Sequence, residues 1–146
     1  MKRIFTVLLL ASLVLVSCKK EYSKEIVVEK LAETSSSWNG DALPSYAIGK
    51  PKVTVLKITI PPKTKLKWHK HLVINSGILL KGALKVVDEA GEELFLNEGD
   101  VIVELVNTYH YGINEQDVPA EIVVFYSGTV GVPITVLKDD STHEGH

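Results

Sequence analysis

The chain has a single cysteine, Cys18, so it can form no intrachain disulfide. It also lacks an internal repeat, a dinucleotide-binding or phosphate-loop motif, and, beyond its first residues, any convincing helical period of apolar residues. No excess of basic residues is present, since the formal charge is −2, and this argues against nucleic acid as a partner. These absences disfavour nucleotide-binding, nucleic-acid-binding and helical proteins.

The longest apolar run, Ile4 to Val16, is too short to span a bilayer comfortably. Because it follows the basic pair Lys2-Arg3, it is typical of the apolar region of a signal peptide. The stretch Leu15-Val16-Ser17-Cys18 resembles a bacterial lipobox, which implies cleavage before Cys18 and lipidation of that cysteine. An ordinary secreted protein with an incidental cysteine is the alternative.

The chain therefore divides into four predicted parts. Residues 1–17 are a lipoprotein signal peptide, residues 18–24 a tether, residues 25–137 the folded domain, and residues 138–146 a flexible tail. Lipidation would anchor the domain to a membrane of the bacterial cell envelope, outside the cytoplasm, without a spanning segment. The protein would then bind the membrane only through the acyl chains attached to the protein.

The folded domain consists of short segments rich in β-branched residues, separated by turn signals about every 8 to 12 residues. This spacing predicts an all-β sandwich or barrel. The predicted strands are residues 53–60, 66–72, 75–81, 83–88, 92–96, 101–104, 108–113, 120–127 and 134–137. Ahead of them, Ile26-Val27-Val28 forms the first apolar segment.

Three histidines form a candidate metal site. His69 and His71 share one face of a predicted strand because strand side chains alternate, and His110 from a later strand could complete the site. Imidazole ligands suit a divalent transition metal, here Fe, Mn, Ni, Cu or Zn, and three of them leave positions open for water and substrate. Structural histidines in a barrel without metal are the alternative. The remaining histidines, His143 and His146, lie in the polar tail.

The spacing of these histidines has a known counterpart. The pattern His69-x-His71-x3-Asn75-x6-Gly82, followed by Gly99-x10-His110-x3-Asn114, resembles the two signature motifs of the cupin superfamily. The resemblance covers residues 53–127 and implies a cupin-type β-barrel, or jelly roll, in a small single-domain (type 2) cupin. Residues 25–137 would form this cupin domain.

Four positions depart from the family pattern. Lys63 and Asn107 stand where the family has glycine, Leu105 stands where it has proline, and Asn75 stands where it has a glutamate ligand. The implied metal ligands are then Asn75 and the three histidines. A neutral amide leaves more positive charge on the ion, which weakens metal binding and favours an anionic substrate. Asn75 could instead hold a metal-bound water or only satisfy backbone groups.

The polar and aromatic residues near the three histidines have roles that are predicted from their positions in the strands. Glu104 is predicted to be a surface glutamate at a strand end, with a role as base or partner of His110 as the alternative. Tyr109 and Tyr111 flank His110, so alternation places both on the opposite strand face, where they pack rather than react. The same argument applies to Trp68 beside the first histidine.

The predicted function is that of a lipid-anchored, metal-binding cupin that acts on a small anionic molecule, in a dioxygenase-like or isomerase-like reaction. One alternative is a non-catalytic module of the cell envelope that binds a metal or a small molecule. Another is an interaction subunit whose barrel edge pairs with a second copy to give a homodimer. The fold alone cannot choose among these functions.

Overall fold

A computed structural model describes residues 24–138, so the predicted signal peptide, Cys18, most of the tether and nearly all of the tail lie outside the described residues. Within this range the chain forms ten β-strands and no α-helix. The strands are β1 (Pro51–Ile60), β2 (Thr64–Lys65), β3 (His69–His71), β4 (Ile74–Lys81), β5 (Ala83–Asp88), β6 (Glu93–Asn97), β7 (Val101–Val103), β8 (His110–Asn114), β9 (Ala120–Thr129) and β10 (Thr135–Leu137). Among residues 24–138, no helix has the length and apolarity needed to cross a membrane.

The strands form two antiparallel sheets packed face to face. The first sheet has the order β1-β9-β4-β7, and the second has the order β10-β3-β8-β5-β6, with β2 also paired to β8. β1 lies at the edge of the first sheet, where Pro51 is tolerated because an edge strand needs no partner on its outer side. The predicted all-β jelly roll is confirmed.

The core lies between the inner faces of the two sheets. Along β9, Ala120, Ile122, Val124 and Tyr126 alternate inward and are buried. The other buried members of the core are Ile60, Val73, Leu79, Leu84, Val86, Leu96 and Ile102. Inward-facing residues from strands of both sheets therefore fill the space between them, as expected for a small sandwich-like barrel.

Gly82, a glycine of the cupin pattern, separates β4 from β5. Its φ is +79°, and a Cβ there would lie 2.9 Å from the carbonyl oxygen of Pro119. Both the left-handed backbone and the close approach of a neighbouring chain segment require a residue without a side chain.

Lys63 and Asn107 are the only non-glycine residues between 24 and 138 that have positive φ, at 52° and 63°. Both stand where the cupin pattern has glycine. The backbone thus keeps the left-handed turns of the pattern although the glycines are absent. Asparagine tolerates this region better than most residues, whereas lysine adopts it at a steric cost.

Lys63→Gly should raise the free energy of unfolding by about 0.5–1 kcal/mol, because glycine removes the left-handed strain at the expense of some chain entropy. Lys63→Ala is the matched control, since it removes the same exposed side-chain contacts to Glu115 and Asp117 but keeps a Cβ. Urea unfolding of the metal-free protein measures both. A glycine variant no more stable than the alanine variant would show that the turn is unstrained.

Asn114 is fully buried and joins several chain segments. Its Nδ2 lies 2.8–3.1 Å from three main-chain carbonyl oxygens, and its Oδ1 accepts from the N–H of Gln116. The three carbonyls belong to Ile60, Pro61 and Val118. The last residue of the second motif therefore ties the end of β8 to the end of β1 and to the loop before β9.

Candidate metal centre

The structure brings the three predicted histidines together inside the barrel. His69 and His71 lie at the two ends of β3, and His110 begins β8 directly opposite His69 in the strand pairing. The ring centroids are 4.6 Å apart for His69 and His110 and 5.1 Å apart for the other two pairs. One nitrogen from each ring lies within 4.8 Å of the others.

Hydrogen bonds set the orientation of all three rings. In each histidine Nδ1 faces a main-chain carbonyl oxygen, at 2.8 Å for His69, 3.1 Å for His71 and 3.0 Å for His110. The carbonyls are those of Lys67, Ile134 and Thr108. Because a carbonyl only accepts, Nδ1 carries the proton in each ring and the Nε2 lone pair stays free. This is the arrangement by which proteins prepare histidine as a metal ligand.

Burial also keeps the rings uncharged. It lowers the pKa of His69 and of His110. It also lowers the pKa of His71 to about 3, and there the two neighbouring rings lower it further. A buried imidazole loses hydration when it is protonated, so the neutral form is favoured. The three side chains are therefore in the protonation state that a metal ion requires.

Glu104 also points into this space, and its prediction as a surface residue is wrong. Only 8% of the residue is exposed, and its Oε2 lies 3.6 Å from Nε2 of His110. Neither of these two buried atoms has a hydrogen-bond partner within the described part of the chain. The inward direction follows from alternation, since Glu104 is two residues after the buried Ile102. Burial raises the pKa of the Glu104 carboxyl to about 7.

The segment ahead of β1 holds Glu104 in place, a contact that the sequence did not predict. The Ser37 hydroxyl donates to the main-chain oxygen of Glu104 at 2.9 Å, and the main-chain N–H of Trp38 donates to the main-chain oxygen of Val103 at 3.0 Å. On the other side, the N–H of Glu104 donates to the oxygen of Asn75 at 3.1 Å. The main chain at Glu104 is thus bound from both sides, which limits the directions available to its carboxylate.

A cavity of about 50 Å³ lies against the histidines. Its wall contains Glu104 and Tyr126, and the remaining lining is formed by Ile58, Ile60, Leu66, Leu84, Val86, Gly112, Ile122 and Val124. Burial, followed by the nearby Glu104 charge, raises the pKa of Tyr126 to about 12, and the hydroxyl hydrogen-bonds Thr135. Tyr126 is therefore a neutral wall residue. Its place in the inward series of β9 was the sequence signal for it.

Asn75 is fully buried on the inner face of β4, at 1% exposure, but it is not among the residues that line the cavity. Its Nδ2 donates to the main-chain oxygen of Val73 at 3.2 Å, and its Oδ1 has no hydrogen-bond partner between residues 24 and 138. Its role as a metal ligand stays a prediction. The centre does have a carboxylate, because Glu104 lines the same cavity as the three histidines.

The aromatic residues beside the histidines lie on the opposite strand faces, as alternation predicts. Trp68 and Tyr111 pack edge to face with ring centroids 4.6 Å apart, and the Lys65 Nζ lies 3.7 Å from the Tyr111 centroid. On the same side, the Lys70 Nζ lies 5.0 Å from the Tyr109 ring. None of these side chains lines the cavity.

The donor set suits a divalent transition metal. Neutral imidazoles, which are borderline ligands, together with a harder carboxylate oxygen are the combination found in zinc and non-haem iron sites. The buried and unpartnered atoms, Nε2 of His110 and Oε2 of Glu104, are the groups that such an ion would satisfy. By the chemistry of its donors, the centre fits a metal of this class.

Comparison with known proteins agrees with the fold. Residues 56–126 match the model of the cupin domain family, and no curated protein matches the chain. Among solved structures, the oxalate decarboxylase of Lactobacillus farciminis, in its formate complex, is 19% identical with a TM-score of 0.51, over 58% of this chain and 26% of that one. The DMSP lyase of Ruegeria pomeroyi is 17% identical with a TM-score of 0.52, over 68% of this chain and 47% of the lyase.

A cupin-like protein from Thermotoga maritima is 18% identical with a TM-score of 0.51, over 62% of this chain and 68% of that one. The chain spans only 26% of the decarboxylase and 47% of the lyase, and at these identities the likeness concerns the fold alone. Residues 56–126 therefore match the cupin domain family, and the described strands form a cupin-type β-barrel.

Proposed function

We propose that the domain binds a divalent first-row transition metal through Nε2 of His69, His71 and His110. The observation that carries this proposal is the hydrogen bond from each Nδ1 to a main-chain carbonyl, which leaves three Nε2 lone pairs beside one cavity. A histidine with only a structural role has no need to leave its second nitrogen without a partner, as His110 does. When bound, the metal would supply Lewis-acid or redox chemistry.

We propose a small anion, of the size of formate or another short carboxylate, as the molecule that this centre binds and activates. A cavity of about 50 Å³ holds only a few non-hydrogen atoms, since one water needs roughly 10–15 Å³ of such space. The divalent ion keeps net positive charge beside one carboxylate, and the apolar walls strengthen its attraction for an anion. Tyr126 and the aliphatic wall would exclude water and limit the length of the ligand.

Elemental analysis of protein expressed from Lys19 onward, without a metal-binding affinity tag, tests both parts. We expect about one transition-metal ion per chain, or its uptake when the metal-free protein is titrated with Fe²⁺, Mn²⁺, Ni²⁺, Cu²⁺ or Zn²⁺. Formate should then change the visible spectrum of the Co²⁺-loaded protein. Absence of metal after purification, together with no uptake in the titrations, would contradict the proposed function.

We also propose that the domain is tethered to a membrane of the cell envelope through a lipid on Cys18, which lies outside the described residues. Cys18→Ser should abolish lipidation, so the protein should either remain unprocessed or be released from the membrane fraction. Ser17→Ala is the matched control, because it changes the preceding residue and keeps the thiol. Fractionation and intact-mass measurement report the result. A processed Cys18→Ser variant that sediments with membranes like wild type would contradict the anchor.

A further inference from the structure

Glu104 presents a buried carboxylate to the histidine cluster from the end of β7. We propose that Glu104 is the fourth protein ligand of the metal and supplies, from the neighbouring strand, the carboxylate that the cupin pattern places at Asn75. This inference rests on the proposed metal binding by the three histidines. It assigns the anionic ligand to a residue that the sequence pattern treats as an ordinary strand position.

The first argument is that no cationic side chain among the cavity-lining residues neutralises the charge of the Glu104 carboxylate. Among residues 24–138, buried Oε2 of Glu104 has no hydrogen-bond partner, while the main-chain N–H of Leu105 donates to the carboxylate. No lysine or arginine is among the residues that line the cavity, and the Tyr126 hydroxyl is bonded to Thr135. A buried carboxylate without a cation is unfavourable, because it loses its hydration. An ion between the carboxylate and the imidazoles would remove that cost.

The second argument is distance. Oε2 of Glu104 and Nε2 of His110 are 3.6 Å apart, which is too long for a hydrogen bond. Two donor atoms that bind one ion at about 2.1 Å each lie roughly 3.0–3.5 Å apart, for angles between 90° and tetrahedral. The observed separation is therefore close to that of two ligands of a shared ion.

The third argument is the strand pairing. In the β4–β7 ladder Ser76 pairs with Val103 and Gly77 with Ile102, so Asn75 and Glu104 are the next opposed residues. The hydrogen bond from the N–H of Glu104 to the oxygen of Asn75 continues this register. Opposed residues project to the same sheet face with Cβ atoms roughly 5 Å apart. Glu104 thus places a carboxylate on the strand next to β4, at the same height in the barrel as Asn75.

Calorimetric titration of Zn²⁺ and Co²⁺ into metal-free protein at pH 8 tests the assignment, with the visible spectrum of the Co²⁺ form as a second readout. Glu104→Gln keeps the shape of the side chain and removes its charge, so we expect affinity to fall about 100-fold and the Co²⁺ bands to shift. Asn75→Ala is the matched variant on the opposing strand, and we expect less than a threefold change. The metal-free Glu104→Gln protein should melt no lower than wild type, which shows that it folds.

Several outcomes would overturn the proposal. An unchanged Glu104→Gln affinity and spectrum would show that the carboxylate does not ligate. A loss below tenfold with an unchanged Co²⁺ spectrum would make Glu104 a purely electrostatic neighbour. A large loss of metal affinity in Asn75→Ala alone would show that the fourth ligand is Asn75 on β4. If wild type itself binds neither ion, the proposed function fails together with this inference, whereas normal wild-type binding with an inert Glu104 refutes the inference alone.

Discussion

Replacement of both His69 and His71 by alanine is expected to lower the affinity for Zn²⁺ by about 1,000-fold or more. Structural zinc sites gain roughly 10–16 kcal/mol from their full ligand set, so two of four ligands carry several kcal/mol. Both rings belong to the three-histidine cluster, and each has its Nε2 prepared by an Nδ1 hydrogen bond. Metal content after purification and calorimetric titration measure the loss. Excess Zn²⁺ should raise the melting temperature of wild type and leave that of the variant unchanged.

The matched control is the double variant His143→Ala, His146→Ala in the tail. Both residues lie outside the described range. This control removes two histidines without touching β3, so its affinity should equal that of wild type. Circular dichroism of both proteins checks that the β-sheet spectrum is retained. Full occupancy in the β3 variant, lost in the tail variant, would place the metal on the tail and refute the proposed centre.

Much of the barrel could be predicted because inward-facing and outward-facing residues alternate along contiguous stretches of the sequence. The predicted strands 75–81 and 83–88 correspond to Ile74–Lys81 and Ala83–Asp88, separated by the required Gly82. The histidine cluster could be predicted for the same reason, since a spacing of two puts His69 and His71 on one face. The motif resemblance then supplied the non-local step, which is the position of the third histidine.

The remaining features depend on pairings between distant segments. β2 has only two residues and exists because it pairs with β8, so no local pattern predicts it. Ile26-Val27-Val28 is apolar but lies exposed and outside any strand. Alternation from Ile102 predicts the strand face on which Glu104 lies, but not that this end of the strand is covered. The covering comes from the ladder with β4 and from Ser37, which is 67 residues away in sequence.

Acid should affect the metal-free fold in two opposite ways. Burial raises the pKa of Glu104 from 4.5 to about 7, so between these values the folded state binds a proton that the unfolded chain does not. Acidification through this window stabilises the fold by about 3 kcal/mol. Burial lowers the pKa of His71 from 6.5 to about 3, so below pH 6.5 the unfolded chain binds the extra proton. By pH 3 this contribution destabilises the fold by about 5 kcal/mol.

Glu104→Gln should separate these contributions, because it removes the glutamate and leaves the histidines. At pH 8 the metal-free variant should be more stable than wild type by about 3 kcal/mol, since it avoids a buried ionised carboxyl, and the difference should vanish near pH 4.5. Glu98→Gln controls for the loss of an exposed carboxylate. Urea unfolding in a chelator at pH 8, 7, 6, 5 and 4.5 measures the difference curve. With saturating Zn²⁺ the advantage of the variant at pH 8 should shrink to less than about 1 kcal/mol, because its roughly 100-fold weaker affinity for the ion costs about 2.7 kcal/mol relative to wild type. A difference that stays constant with pH would mean that the Glu104 carboxyl does not change its protonation within the fold.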